Sequence, residues 1–328
     1  MIEYGENMKY CFIINPKAGK GDFVAKLTQS ISEACEKASV DFDTFVSGSI
    51  DDTREYIKNE TSLAEERVAF IACGGDGTLC KTVLAVMSLP KECRQRCAVG
   101  VVPVGTGNDF VSNFVNKEKF FDIASQLGGE TYEIDLLKCN DVYSINMINI
   151  GFDCHVVCKK EEIGRRKWLP KKFAYIFSLI ITLIRKPGVK MRASVDGEDK
   201  GEKELLLTTF ANGAFCGGGF NSNPTACLSD GQIDSIAVKN IGRLKFLSLV
   251  GDYKNGRHLG DKFKKIITHF KCQTVEMEFD GQTPISVDGE IIRADKLNIS
   301  VERGALCFLL PAGVRSKIEA LKKEPVMQ

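Results

Sequence analysis

The chain has 328 residues, of which 44% are hydrophobic and 27% charged, and its formal net charge is +1. That composition fits a soluble globular protein of one large domain or two ordinary ones, and excludes disordered and fibrous classes. The balanced charge creates no global basic field, so nucleic acid is not an expected partner.

Thirteen cysteines contain no CxxC pair and stand beside only three histidines. Thiol-held zinc is therefore not expected, and the cysteines read as reduced, mostly buried thiols of a cytoplasmic protein. Residues 1–9 are polar and lack the apolar core of a signal sequence. The longest apolar run, 173–184, falls short of the roughly 20 residues that a spanning helix needs.

Residues 10–15 form a short apolar run that meets Pro16-Lys17-Ala18-Gly19-Lys20-Gly21. This predicts a strand entering a Gly/Lys loop, and it does not match the GxxxxGK[ST] pattern. A helix is predicted over 23–38, a strand over 42–46, and a turn at Ser47-Gly48-Ser49 leading into a helix near Asp51 and Asp52. The apolar run 67–73 then stops at Gly74-Gly75-Asp76-Gly77-Thr78, and residues 79–89 carry apolar side chains at helical spacing. Strand, tight turn, helix is the reading, with glycines that let backbone amides approach an anion at a helix N-terminus. Asp76 would repel a bare phosphate, so it suits a site holding a metal or a hydroxyl; a plain βα turn capped by Asp76 is the simpler alternative. A further buried strand over 98–102 ends in Pro103-Val104-Gly105-Thr106-Gly107-Asn108-Asp109. Strands and helices thus alternate to about residue 127, which predicts a doubly wound parallel α/β domain. All three glycine loops leave strand carboxyl ends, where such sheets bind ligands.

After Gly129 the pattern changes to strands. They are predicted over 132–138, 142–150, 189–195, 204–211, 233–239, 272–280, 283–287, 297–301 and 305–310. The Asp-Gly pairs at 196, 230, 280 and 288 mark turns between them. An antiparallel sandwich or open barrel follows, interrupted by helices near 171–185 and 244–254. The tail from 315 reads as a short charged helix or a frayed end. The segment Gly164-Arg165-Arg166-Lys167-Trp168-Leu169-Pro170-Lys171-Lys172-Phe173 interleaves cations with aromatics before the apolar run. It suits a peripheral membrane surface, or else a core helix with a solvated basic lead-in.

Six short motifs occur in a fixed order. They are Asn15-Pro16-x-Ala18-Gly19, Gly74-Gly75-Asp76-Gly77-Thr78, Pro103-x-Gly105-Thr106-x-Asn108-Asp109-Phe110, Asn149-x-Gly151-x-Asp153, Asp230-Gly231-x-Ile233-Asp234 and Asp288-Gly289-Glu290. The set resembles the diacylglycerol kinase catalytic domain family, which includes bacterial soluble lipid kinases and sphingosine kinases. The resemblance implies an N-terminal domain of NAD kinase and phosphofructokinase type (1–130), a β-sandwich lipid domain (131–305), and a C-terminal segment (306–328) returning to the first. It implies an ATP- and Mg²⁺-dependent kinase acting on a membrane lipid hydroxyl, with diacylglycerol the expected acceptor. A monomer and a homodimer both stay open.

By this resemblance ATP meets Asn15, Pro16, Lys17, Ala18, Gly19, Ser47, Gly74, Gly75, Asp76, Gly77, Thr78, Thr106 and Asn108. Asp288 is the implied general base, Glu290 its support, and Asp76 part of the Mg²⁺ network. A structural Mg²⁺ is implied at Asp230, with backbone carbonyls near Cys227 and Gln232. From the residues alone, Asn108-Asp109 also reads as a helix cap and Asp288-Gly289 as a hairpin turn. Two departures stand out: Cys80-Lys81 where the family has Asn-Glu, and Ser112 where it has Arg. A soluble-metabolite kinase of NAD kinase type and a silent nucleotide- or lipid-binding protein are the alternatives.

Overall fold

The computed structural model describes residues 8–19, 22–64, 66–152, 154 and 188–317. They fall into two units: one holds the described residues up to Asp135 and from Arg303, the other Leu136 to Glu302. In chain order the elements are β1 (Met8–Ile14), α1 (Phe23–Ala38), β2 (Phe42–Val46), α2 (Ile50–Leu63), β3 (Arg67–Gly74), α3 (Asp76–Met87), α4 (Lys91–Arg94), β4 (Cys97–Pro103), β5 (Phe114–Val115) and α5 (Ile123–Leu127). There follow β6 (Glu130–Cys139), β7 (Val142–Ser144), β8 (Met147–Gly151), β9 (Val189–Val195), β10 (Glu198–Ala211), β11 (Phe215–Cys216), β12 (Phe220–Asn221) and β13 (Ile233–Lys239). The last are α6 (Arg243–Lys254), β14 (Ile267–Cys272), β15 (Thr274–Val287), β16 (Glu290–Leu310) and β17 (Arg315–Ser316).

The first unit is a parallel sheet in the order β2-β1-β3-β4, extended by the end of β16, whose Phe308 pairs with Val99 of β4. Successive side chains of a strand point to opposite faces. Here Tyr10, Phe12 and Ile14 are buried, and so are Cys11 and Ile13 between them. Both faces are therefore covered, as a parallel sheet requires. One face packs Ile31 and Cys35 of α1 and Ile123 and Leu127 of α5 against β1, β3 and β4. Ser49 caps α2 by accepting from the Asp52 amide at 3.1 Å. Buried thiols follow the packing: burial pushes Cys35 up to about 12.

The second unit is antiparallel. The long strands β10 and β15 are each paired twice with shared partners, through β8 at one end and β9 at the other. β13 and β14 extend the β10 side, and β16 extends the β15 side. The strands enclose a core of residues such as Leu137, Ile148, Ile150, Met191, Phe210, Ile233, Met277, Ile285 and Leu297. A second cluster packs Phe246, Leu249 and Tyr253 of α6 on Leu206, Ile236 and Val238.

Four expectations change. The predicted strand 142–150 breaks between β7 and β8, because the backbone amides of 145–147 turn toward Asp288 instead of a neighbouring strand. Asp280-Gly281 is not a chain reversal but a register irregularity inside β15, between Glu278 and Thr283. Predicted strands 297–301 and 305–310 belong to one strand, β16. The tail at 315 pairs as β17 with β5. By contrast, Asp196-Gly197 and Asp288-Gly289 do close hairpins, each with two consecutive positive φ angles, 50° and 80°, then 48° and 91°. That is the geometry of a type I′ turn. The predicted helix 171–185, Asp153 and the basic-aromatic stretch lie outside the described residues.

Candidate active site

Three loops of the first unit are stitched at the ends of β1, β3 and β4. The Asn15 amide N–H donates to the Cys73 carbonyl (3.0 Å), and the Asn15 side-chain amide donates to Thr78 Oγ1 (3.0 Å). Asn15 Oδ1 accepts from the Lys17 amide at 2.9 Å, turning the loop back. A Cβ on Gly74 would collide with Thr78, and a Cβ on Gly105 with Gly75, so these glycines permit backbone contact. Asn108 sits at φ +53° and binds its own loop: it donates to the Pro103 and Gly105 carbonyls (2.7 and 3.0 Å) and accepts from the Gly105 amide (3.1 Å). Its amide works as a loop clamp. The loop is anchored in turn by Phe110, whose ring lies edge-on to Phe308 and Phe114 at 5.1 and 5.7 Å. Such aromatic pairs are worth about 0.5–1.5 kcal/mol each beyond their buried area.

A cleft of about 280 Å³ opens against these loops. Of the expected nucleotide contacts, it brings together Asn15, Pro16, Lys17, Ser47, Gly75, Gly77 and Thr78. Ala18, Gly19, Gly74, Asp76, Thr106 and Asn108 do not line it. Sequence reasoning missed Ser49, Thr53 and Thr82 as lining residues, and noted Lys81 only as a departure. Helical spacing signals two of them: Lys81 and Thr82 lie four residues beyond Gly77 and Thr78, on the same face of α3. Ser47 Oγ and Thr53 Oγ1 are 2.8 Å apart, so the hydroxyls form a connected set. The lining contains two ammonium groups and no carboxylate. The N-cap of α3 is Gly75, which offers no side-chain cap; the Thr78 amide donates to the Gly75 carbonyl at 2.9 Å, and the Asp76 and Gly77 amides precede it at the helix N-terminus. A lining of this chemistry suits an anion that can accept hydrogen bonds.

Two carboxylates lie behind the loops. Asp76 Oδ1 accepts from the Phe110 amide at 3.0 Å, so Asp76, and not Asp109, caps the turn at 110–113. A Cβ on Gly107 would stand 3.1 Å from Asp76 Oδ2 and 3.6 Å from Asp109 Oδ2. Both acids therefore lie beside Gly107, and two carboxylates are as many as Mg²⁺ takes when waters supply its other ligands.

In the second unit Asp288 is held by residues 144–147, from the end of β7 to the start of β8. Oδ1 accepts from the Ser144 hydroxyl (2.8 Å) and from the amides of Asn146 (3.1 Å) and Met147 (2.8 Å); Oδ2 accepts from the Ile145 amide (2.8 Å). Burial raises the proton affinity of this carboxyl and outweighs the Met147, Ser144, Ile145 and Asn146 bonds that lower it. Glu290 is exposed at the start of β16, and among the described residues no hydrogen bond joins it to Asp288. Two buried amide oxygens of the clamping segment and the strand that follows it, Asn146 Oδ1 and Asn149 Oδ1, have no protein donor among the described residues. Asp230 Oδ1 accepts from the Gln232 amide (3.1 Å), and Oδ2 from Lys271 Nζ (2.6 Å). Among the described residues no group of three His, Cys, Asp or Glu side chains forms a metal site, and no helix is long and apolar enough to cross a membrane.

The chain thus pairs a parallel α/β unit, with a polar cleft at its strand ends, with an antiparallel β unit. Residues 9–139 match the diacylglycerol kinase catalytic domain, and 146–310 match the YegS C-terminal NAD kinase beta sandwich-like domain. The chain belongs to the family defined by the second of these domains, which spans half of its length and here follows a diacylglycerol kinase catalytic domain. A diacylglycerol kinase from Staphylococcus carnosus is 29% identical over 85% of this chain and 87% of its own length. One from Mycobacterium tuberculosis is 27% identical over 92% and 95%. In fold, the chain is similar to a diacylglycerol kinase from Bacillus anthracis (TM-score 0.68, 20% identity, 93% and 97% of the two chains).

Proposed function

We propose that this chain is an ATP- and Mg²⁺-dependent lipid kinase that phosphorylates diacylglycerol to phosphatidate. The observation that carries the reading is the cleft of the first unit, with Lys17, Lys81, five hydroxyls and a helix N-terminus but no acid in its lining. Phosphoryl transfer asks the protein mainly to hold phosphates, neutralise charge and position a hydroxyl. Asn15, Ser47 and Thr78 orient the nucleotide, and the two lysines offset its charge. Asp76 and Asp109 would hold Mg²⁺, which when bound screens the charge developing on the transferred phosphoryl group. Asp288 takes the proton of the acceptor hydroxyl. Its raised proton affinity makes it a better base than a solvated carboxylate, and Oδ2, with one of the four bonds, has the spare acceptor capacity. Glu290, exposed and without a bond to Asp288 among the described residues, would act on it only through an intervening water. The acceptor resides in a membrane, and residues 165–172 with their five cations are the proposed contact with anionic headgroups.

The test is acceptor choice. The protein is given γ-labelled ATP, Mg²⁺ and, in separate reactions, diacylglycerol, sphingosine and NAD. Labelled phosphatidate alone supports the proposal. Labelled NADP assigns a metabolite kinase, and ATP binding without any labelled product assigns a silent binder.

A further inference from the structure

The segment Asp230-Gly231-Gln232-Ile233-Asp234 leads into β13, and β14 runs beside it with Lys271 opposite Asp234 and His269 opposite Ile236. Alternate residues of a strand share a face, so His269 and Lys271 project together. Each engages one acid of the segment. Lys271 Nζ lies 2.6 Å from Asp230 Oδ2, and His269 Nε2 lies 3.1 Å from Asp234 Oδ2. Asp234 is further held by Thr225 Oγ1 at 2.6 Å and Asn223 Nδ2 at 3.0 Å.

This arrangement does not fit the structural Mg²⁺ that the family resemblance implies at Asp230. One oxygen of Asp230 is used by the Gln232 amide and the other by an ammonium. The second acid of the segment is buried and consumed by Thr225, Asn223 and His269. Mg²⁺ needs several oxygen ligands in near-octahedral order, and here it would also meet a like charge within a few ångströms. We infer that the Lys271 ammonium is the built-in cation of this turn, ordering Asp230 against β14 in place of a divalent ion. The second unit of this chain then folds independently of divalent metal at this site.

Thermal unfolding of the full chain, stripped with chelator and free of nucleotide, tests this with added MgCl₂ or CaCl₂. The wild type should show no shift that Asp230→Asn abolishes. Lys271→Gln should lower the melting of the unit Leu136–Glu302 by about 2–4 °C, the shift a loss near 1 kcal/mol gives in a folding unit of about 150–250 residues. Added Mg²⁺ or Ca²⁺ should restore it, because Asp230 is then free to take the ion. Lys271→Arg, which keeps the charge, should remain unresponsive to metal, and it serves also if Lys271→Gln fails to fold. A wild-type stabilisation by Mg²⁺ that Asp230→Asn removes overturns the inference. So does a Lys271→Gln variant that melts like the wild type, or one that melts lower and ignores both ions.

Discussion

The side-chain amide of Asn15 donates to the hydroxyl of Thr78 across 63 residues of sequence, at 3.0 Å. This bond ties the loop after β1 to the first turn of α3. It fixes two walls of the cleft before any ligand arrives, which is the preorganisation a phosphate site needs.

The glycines around that bond separate binding from folding. A Cβ on Gly77 meets nothing within 4 Å, whereas one on Gly105 collides with the Gly75 backbone. Gly77→Val should therefore fold normally and lose ATP binding, because its side chain projects from a lining position. Gly105→Ala should lower stability by about 1–3 kcal/mol, the usual cost of forcing extra atoms into packed backbone. Urea unfolding and calorimetric ATP titration on both variants check the split.

Lys81 is exposed on α3 and lines the cleft. Lys81→Glu should weaken ATP binding by at least about tenfold, since it replaces an attractive charge with a repulsive one, and each factor of ten corresponds to about 1.4 kcal/mol. Stability should stay within about 0.5 kcal/mol, as for other surface changes. The affinity of the wild type should fall as salt rises, and that of Lys81→Glu should fall less steeply.

Asp288→Asn should lower kcat by about 10²–10⁴ with ATP affinity unchanged, the typical worth of a general base. It is not structurally silent. An amide supplies only one acceptor oxygen, so one of the donors on Ser144, Ile145, Asn146 or Met147 faces an NH₂ group, and an unmatched buried donor costs about 1–3 kcal/mol. Kinetics should be run well below the melting temperature of the variant. Asp76→Asn should instead weaken Mg·ATP binding along with the rate. Near-normal kcat in Asp288→Asn, with a dead Asp76→Asn of normal ATP affinity, would move the base to Asp76.

Asp234 sets a pH dependence. Burial pushes its carboxyl up, but the His269, Thr225 and Asn223 bonds outweigh burial and hold it below the usual value. A lowered folded-state pKa contributes stability above the unfolded value of about 3.9, and that contribution is lost as pH falls through the folded value. Asp288 has the opposite sign: its raised pKa contributes fully below the unfolded value and loses that contribution as pH rises through the folded one. The urea midpoint of Asp234→Asn should accordingly fall less than that of the wild type as pH drops below about 4.

The first unit was the more legible in sequence, because β1, β2 and β3 each end in a glycine-containing loop that leads into a helix. Asp-Gly signals were legible only locally. Asp196-Gly197 and Asp288-Gly289 became hairpins, while Asp280-Gly281 stayed inside β15, whose two halves are paired with β9 and β8 by contacts no dipeptide encodes. The clamp on Asp288 comes from residues 141–144 positions away, and the Lys271 partner of Asp230 is 41 away. Pairings at that range leave no periodic trace.

The most direct measurement is transfer of label from γ-labelled ATP to diacylglycerol in mixed vesicles with Mg²⁺, run side by side with wild type and Gly77→Val. Wild type should yield labelled phosphatidate, and the equally folded Gly77→Val should yield none above background. Absence of labelled lipid from wild type that binds ATP, or a wild-type rate from Gly77→Val, would contradict the account.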